Sequence, residues 1–267
     1  MFREGLRAVA RFGALPLLLL AGCGGGGDGG GGEAPPPAAL TAKAIAGKAL
    51  FFDTSLSGSG KQSCGTCHVP SRAFTADPAT DHGLPVPLGG RNMDLPGFRN
   101  APSLMYAFLT PGFFLDQGTP TGGFFRDGRA SSLAVQAQQP FVTEFEMANQ
   151  DAAEVVSRLQ ASAATLQAFV TAFGEGVLAD PTAALAAMGE AIAAYETEDP
   201  GFAPFSSKYD YWLQGQAQLS SAELAGLALF NNPGKGNCTA CHPSQRQGYS
   251  DHALFTDFTY EIGRAHV

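Results

Sequence analysis

Two short motifs carry the chemistry of this chain: Cys64-Gly65-Thr66-Cys67-His68 and Cys238-Thr239-Ala240-Cys241-His242. Each has the residue pattern by which a c-type haem is attached. The two thiols bond to the edge of the porphyrin, and the adjacent imidazole is placed to ligate its iron. A Cys-x-x-Cys pair also serves as a redox dithiol or as half of a zinc site. A dithiol has no need of a His directly after its second Cys, however. A single zinc site would have to gather two motifs that lie far apart and each carry a His. The motifs therefore predict two covalently bound haems, on Cys64, Cys67 and His68 and on Cys238, Cys241 and His242.

The chain has five Cys, so only Cys23 lies outside these motifs and no thiols remain for a disulfide framework. The first residues read as an export signal. Arg3, Arg7 and Arg11 give a positive start, and Ala14 to Leu20 form an apolar run too short to span a bilayer. Leu20-Ala21-Gly22-Cys23 resembles a bacterial lipobox, which implies a lipoprotein signal peptide over residues 1–22 and lipidation of Cys23. An ordinary signal peptide or an uncleaved anchor is the alternative. Residues 23–41 then form a Gly- and Pro-rich tether that cannot bury a core. The expected location is the periplasm, with the membrane reached through the lipid.

Elements that would position the motifs follow from repetition and periodicity. Ala46-Gly47-Lys48-Ala49-Leu50-Phe51 precedes the first haem motif, and Ala225-Gly226-Leu227-Ala228-Leu229-Phe230 precedes the second. Each reads as the end of a short helix. Ala46, Gly47, Ala225 and Gly226 would let another helix approach closely, and Phe51 and Phe230 would sit near a porphyrin edge. Residues from Asp77 to Gly128 are loop-dominated by Gly and Pro. Val155, Leu159, Leu166, Phe169, Val170 and Phe173 give helical periodicity over Ala152–Phe173. A further helix runs over Ala183–Tyr195, near Pro181 at its start, and Asp199-Pro200-Gly201 breaks it. Ser220 or Ser221 caps the helix before the second motif. The expected fold is mostly α, with two tandem cytochrome c-like haem domains: residues 42–200, and residues 201–260 as an incomplete second. A formal net charge of −8 argues against nucleic acid as a partner.

Further motifs follow one another in order. Gly47 to Asp53 leads into Leu56-Ser57 and the first haem motif, and then Arg99-Asn100-Ala101-Pro102-Ser103-Leu104. Next come Asp127-Gly128-Arg129-Ala130, Gln136-Ala137, Pro140 and Glu146-Met147. The second haem motif is followed by Phe255-Thr256-Asp257-Phe258. In these the chain resembles the bacterial di-haem cytochrome c peroxidase and MauG superfamily, over about Ala44 to Tyr260. The resemblance implies that the haem on His68 is the peroxidatic one. The haem on His242 would pass on electrons from a small cytochrome c or cupredoxin donor. It implies that Glu146 is the acid–base carboxylate for cleavage of hydrogen peroxide and Gln136 its amide partner. Glu144 is the nearest competitor for that role. It further implies a calcium ion held in part by Asn100, although Asn100 could equally shape a turn. His82 is a candidate distal ligand of the first haem or a surface loop histidine. Arg129 would neutralise a haem propionate or pair with Asp127. A homodimer is also compatible with this family.

The chain departs from the family at two places. Many members carry Trp before Asp-Gly-Arg as an electron bridge between haems. Here that position is Arg126, and the only Trp is Trp212. Phe124 or Phe125 would substitute in part, or the chemistry would differ. The run after His242 is also short. The segment that supplies the second haem's distal Met or Tyr in the family is missing. Residues 261–267 resemble a translated sequencing adapter, so His266 is not read as a ligand and His252 is placed in a loop. The expectation is a C-terminally truncated fragment with a non-native tail.

Three functions follow: a peroxidase reducing hydrogen peroxide to water, a MauG-like oxidase that modifies a protein side chain, and a non-catalytic di-haem electron carrier. The first is the leading expectation.

Overall fold

The structure is a computed structural model and describes residues 38–78, 83–246 and 250–260. The export signal, Cys23, most of the tether, His82 and the tail at residues 261–267 lie outside the described residues.

Thr41 starts the first helix, α1 (Ala42–Phe52), by accepting a hydrogen bond from the Ala44 amide. Apolar and small residues at helical spacing place Ala44, Ala46, Gly47, Leu50 and Phe51 on one buried face. This face lies against α6 (Pro181–Glu198), which begins at the Asp180 cap with Pro181 in its first turn. Gly47 sits at the crossing. A Cβ there would fall 1.9 Å from the Ala191 carbonyl oxygen, so only glycine allows the backbones so near. The small residues predicted to admit a neighbouring helix do so in this copy.

The haem motif follows as one turn, α2 (Cys64–Cys67). After the predicted loop region comes α3 (Leu133–Val142), capped by Ser132 and carrying Pro140 inside its last turn. It too packs on α6: a Cβ on Gly189 would lie 2.3 Å from the Ala134 carbonyl oxygen. The helix expected over Ala152–Phe173 is two helices, α4 (Ala152–Ala161) and α5 (Ala163–Phe173). They break at Ser162, whose hydroxyl donates to Asp53 Oδ2 at 2.6 Å, as does Thr165 Oγ1 at 2.6 Å. A contact from the end of α1 thus overrides the continuous periodicity.

Within the loop region lie two short hairpins. The strands β1 (Leu88–Gly89) and β2 (Leu95–Pro96) pair antiparallel, as do β3 (Phe114–Asp116) and β4 (Thr119–Thr121). Thr121 also bridges to Thr259, which brings the last described segment alongside β4.

The core gathers Leu50, Phe51, Leu56, Phe141, Leu159, Phe169, Met188, Ile192 and Phe202, all essentially inaccessible. Phe74 and Phe202 stack at 4.0 Å, and Phe51 meets both edge-on. Each such ring contributes about 2–3 kcal/mol on burial. Beyond Pro200, α7 (Lys208–Leu213) and α8 (Ser221–Phe230) each open on a capping box, Ser207 with Asp210 and Ser220 with Glu223. The predicted repeat of α1 in α8 is present as a helix, but α8 buries none of its residues, and space around Gly226 is open.

Candidate haem sites

In α2 the three-residue offset puts Cys64 and Cys67 on one face of a single turn. The turn is held by Thr66, whose Oγ1 donates to the Ser63 carbonyl at 2.6 Å and accepts from the Ser63 amide at 3.0 Å. The His68 amide closes it on the Cys64 carbonyl at 2.8 Å. His68 Nδ1 then lies 3.0 Å from both the Phe74 and the Pro102 carbonyl oxygens. Carbonyls only accept, so Nδ1 carries the proton and Nε2 keeps its lone pair for a metal. Burial lowers the pKa of His68, against the raising effect of those two bonds, which favours the neutral imidazole that ligation needs.

The second motif repeats this construction. Cys238–Ala240 form a tight turn, and the His242 amide donates to the Cys238 carbonyl at 2.8 Å. His242 Nδ1 lies 2.8 Å from the Phe255 carbonyl oxygen. The two phenylalanines whose carbonyls orient the imidazoles share a left-handed backbone, φ 55° at Phe74 and 54° at Phe255. That conformation is costly for a bulky residue and marks sites where geometry is imposed. Both are followed by Thr, a signal present in the sequence that the unequal spacing from each motif conceals.

Burial pushes the Cys64 thiol up to about 12, and the negative charge of Glu196 adds to the effect. A reactive redox dithiol needs the opposite shift. A neutral thiol suits addition to a porphyrin vinyl group.

Around the first motif opens a cavity of about 860 Å³, lined by Cys64, Cys67, His68, Gln136, Glu146 and Glu196 among others. Pockets for cofactors and small ligands run to about 300–1,000 Å³. Gln62 Oε1 and Glu196 Oε2 are buried without a hydrogen-bond partner, and both residues belong to this lining. Two thiols, an imidazole with a free Nε2 and this volume fit a covalently held haem.

Gln136 reaches the cavity from α3, while Glu146 comes from the turn that follows it. That turn is pinned at several points. The Met147 amide donates to Pro140, Gly90 donates to the Glu146 carbonyl, and buried Asn149 donates through Nδ2 to Leu56 and Phe141. Asn149 is thus a positioning residue that motif reading does not reveal. Burial raises the Glu146 pKa, partly countered by Thr143 and by the Arg129 charge. Glu144 is exposed and does not line the cavity.

Arg129 pairs with Asp127 at 2.9 Å and lies over the Phe125 ring at 3.6 Å, with Arg126 beside it on the cavity wall. Asn100 is exposed on the cavity rim. No group of three or more His, Cys, Asp or Glu placed to hold a metal ion occurs among the described residues. His252 lies in a loop, stacked on Phe205 at 3.6 Å with Nδ1 3.6 Å from Asp210.

The sequence model of the family described as di-haem cytochrome c peroxidase matches residues 41–218. The methylamine utilization protein MauG of Paracoccus denitrificans is 42% identical over 220 residues, covering 82% of this chain and 56% of that protein. The cytochrome c551 peroxidase of Nitrosomonas europaea is 32% identical, covering 77% of this chain and 53% of its own length. Among solved structures, the diheme peroxidase BthA from Burkholderia thailandensis E264 superposes with a TM-score of 0.73 at 40% identity. That match covers 84% of this chain and 54% of that one. The chain therefore spans about half the length of the curated relatives it matches.

Proposed function

The chain belongs to the di-haem cytochrome c peroxidase family, and from that premise we propose that this protein reduces hydrogen peroxide to water with electrons from a small periplasmic cytochrome c or cupredoxin. One observation carries the proposal: Glu146 and Gln136 line the same cavity as Cys64, Cys67 and His68. When bound, the haem supplies the iron at which a peroxide O–O bond is broken and the electrons are delivered. The residues of this chain do the rest. His68, fixed through Nδ1, presents Nε2 toward the cavity. The Glu146 carboxylate accepts a proton from one oxygen of a peroxide and returns it to the other, which leaves as water. Gln136 orients the peroxide through its amide. Phe51, Phe124 and Phe125 give the cavity an aromatic wall.

A MauG-like oxidase that modifies a protein side chain is the second reading, favoured by the likeness to the protein named MauG. Rapid mixing of the haem-loaded protein with peroxide and a reduced donor separates the two. Sustained donor oxidation supports the peroxidase. A peroxide reaction without donor turnover, with oxidation of a protein substrate, supports the oxidase. No reaction with peroxide contradicts both.

The proposal extends to location and to calcium. Lipid on Cys23 would hold the protein at a membrane facing the periplasm, so Cys23→Ala should release it to the soluble fraction. A wild-type protein already soluble after processing would contradict this. No helix among the described residues is long and apolar enough to cross a membrane. Calcium bound in part by Asn100 would make peroxide turnover sensitive to chelation without loss of haem.

A further inference from the structure

Glu196 has no part in the chemistry described so far. It lies in the last turn of α6, is 3% exposed, and lines the cavity at His68 with Oε2 unpartnered. A carboxylate at this depth without a partner is costly. Its position at a helix C-terminus, where the backbone carbonyls present negative potential, adds to that cost.

Among the described residues no cation pairs with it, and burial is the one cause that raises its pKa. From α1, Lys48 pairs with Asp199 and Lys43 with Glu190, both at the surface. The helix α3 carries no titratable side chain, and α4 contributes Glu154 and Arg158, paired with each other. On the cavity wall, Arg129 pairs with Asp127, and Arg99 and Arg126 line the same cavity without pairing with Glu196. Other titratable groups at the cavity include Cys64, whose thiol feels the Glu196 charge, Cys67, His68, the Tyr195 phenol beside Glu196 in α6 and Glu146.

We propose that Glu196 couples proton uptake to reduction of the haem held by His68: it is a carboxylate beside the oxidised haem and a carboxylic acid beside the reduced one. A ferric porphyrin core carries one net positive charge, and the ferrous core carries none. In a low-dielectric cavity, that charge weighs heavily on whether the ionised carboxylate is tolerated. The balanced step is oxidised haem plus Glu–COO⁻ plus one electron plus one proton, giving reduced haem plus Glu–COOH. The electron comes from the protein's donor or from an electrode, and the proton comes from solvent. By linkage, whatever the haem's charge does to the proton, the proton does to the haem's potential. Burial alone raises the Glu196 carboxyl to about 8, so the window in which the coupling operates reaches up to that pH. The inference rests on the haem at His68 and not on peroxide turnover.

Spectroelectrochemical titration of the haem-loaded protein between about pH 5 and pH 10 tests it. One of the two haem steps should fall with pH, approaching about 59 mV per unit for one proton per electron. In Glu196→Gln that step should be flat over the same window, with the other step unchanged. Glu196→Asp keeps the acid and should move the window without removing it. A flat wild-type profile overturns the proposal. So does a slope that survives in Glu196→Gln, which would assign the proton to a haem propionate or, if Glu146→Gln abolishes it, to Glu146. If Glu196→Gln fails to take up haem, infrared difference spectra of the wild type decide. A protonated-carboxyl band appearing on reduction, shifted in D₂O and altered in Glu196→Asp, supports the coupling, and its absence overturns it.

Discussion

Glu146 can take a proton from peroxide only while ionised, and its burial holds its pKa above the ordinary 4.5. Peroxide turnover should therefore fall as pH drops through that raised value, earlier on the acid side than for an exposed glutamate. A pH–rate profile measures it, and a rate unchanged down to the ordinary carboxylate range contradicts it. Glu196 makes a different prediction, about stability. Its pKa, raised to about 8 in the folded protein, exceeds the 4.5 of an ordinary glutamate. Folding then favours the protonated form. Its stabilising share is complete below about pH 4.5 and is lost as pH rises to about 8. In the reduced haem-loaded protein the urea midpoint should fall between pH 5 and pH 8 (by roughly a unit's worth of denaturant or less), and Glu196→Gln should flatten that fall. The sequence announces these two acids unequally. Cys64, Cys67 and His68 are legible because covalent attachment fixes their spacing, and Glu146 is legible only inside an ordered set of motifs. Glu196 sits in the run Glu196-Thr197-Glu198-Asp199, which reads as a solvated helix end. Its burial arises from the crossing of α6 over the haem cavity, and no local pattern encodes that.

Helix contacts decide whether the cavity keeps its shape. Gly47→Ala would place a methyl group 1.9 Å from the Ala191 carbonyl oxygen, so α1 and α6 must separate. We expect a loss of about 1–3 kcal/mol and a disturbed haem spectrum, because Phe51 moves with α1. Gly226→Ala, with nothing within 4 Å, should be neutral or stabilising by up to about 1 kcal/mol. Thermal unfolding of both variants checks the contrast, and equal effects would contradict it. Asp53 is the other joint, binding Ser162 and Thr165 at the break between α4 and α5. Those bonds, together with Ser55, outweigh its burial and hold its carboxyl below 3.8, so its contribution is complete above that value and is lost as pH falls below it. Asp53→Ala should cost about 2–3 kcal/mol at neutral pH. The paired stretches before each haem motif made both α1 and α8 readable. The close approach they predict exists at Gly47 and is absent at Gly226, because approach needs a partner helix and only α1 has one among the described residues. The merged helix over Ala152–Phe173 was unreadable as two for the same reason: the partner of Ser162 lies far away in sequence, at the end of α1.

Across the described residues the two haem motifs share one device, an imidazole oriented through Nδ1 by the carbonyl of a left-handed phenylalanine. They differ in cover: the first lies in a lined cavity, whereas α8 buries nothing and Cys241 is exposed. The mostly helical architecture and the order of motifs were legible from periodicity and spacing. The cavity's wall of Arg126, Arg129 and Phe125 was not, since it depends on a left-handed turn at Phe125 folding the loop back on itself. The central claim is that one cavity unites the haem at His68 with an acid–base carboxylate at Glu146. Its most direct test is the rate of peroxide consumption by haem-loaded wild type, Glu146→Gln and Glu144→Gln, each with its haem spectrum intact. A loss of about 10²–10⁴-fold in Glu146→Gln alone is the predicted result. An unchanged rate in Glu146→Gln, or an equal loss in Glu144→Gln, would contradict it.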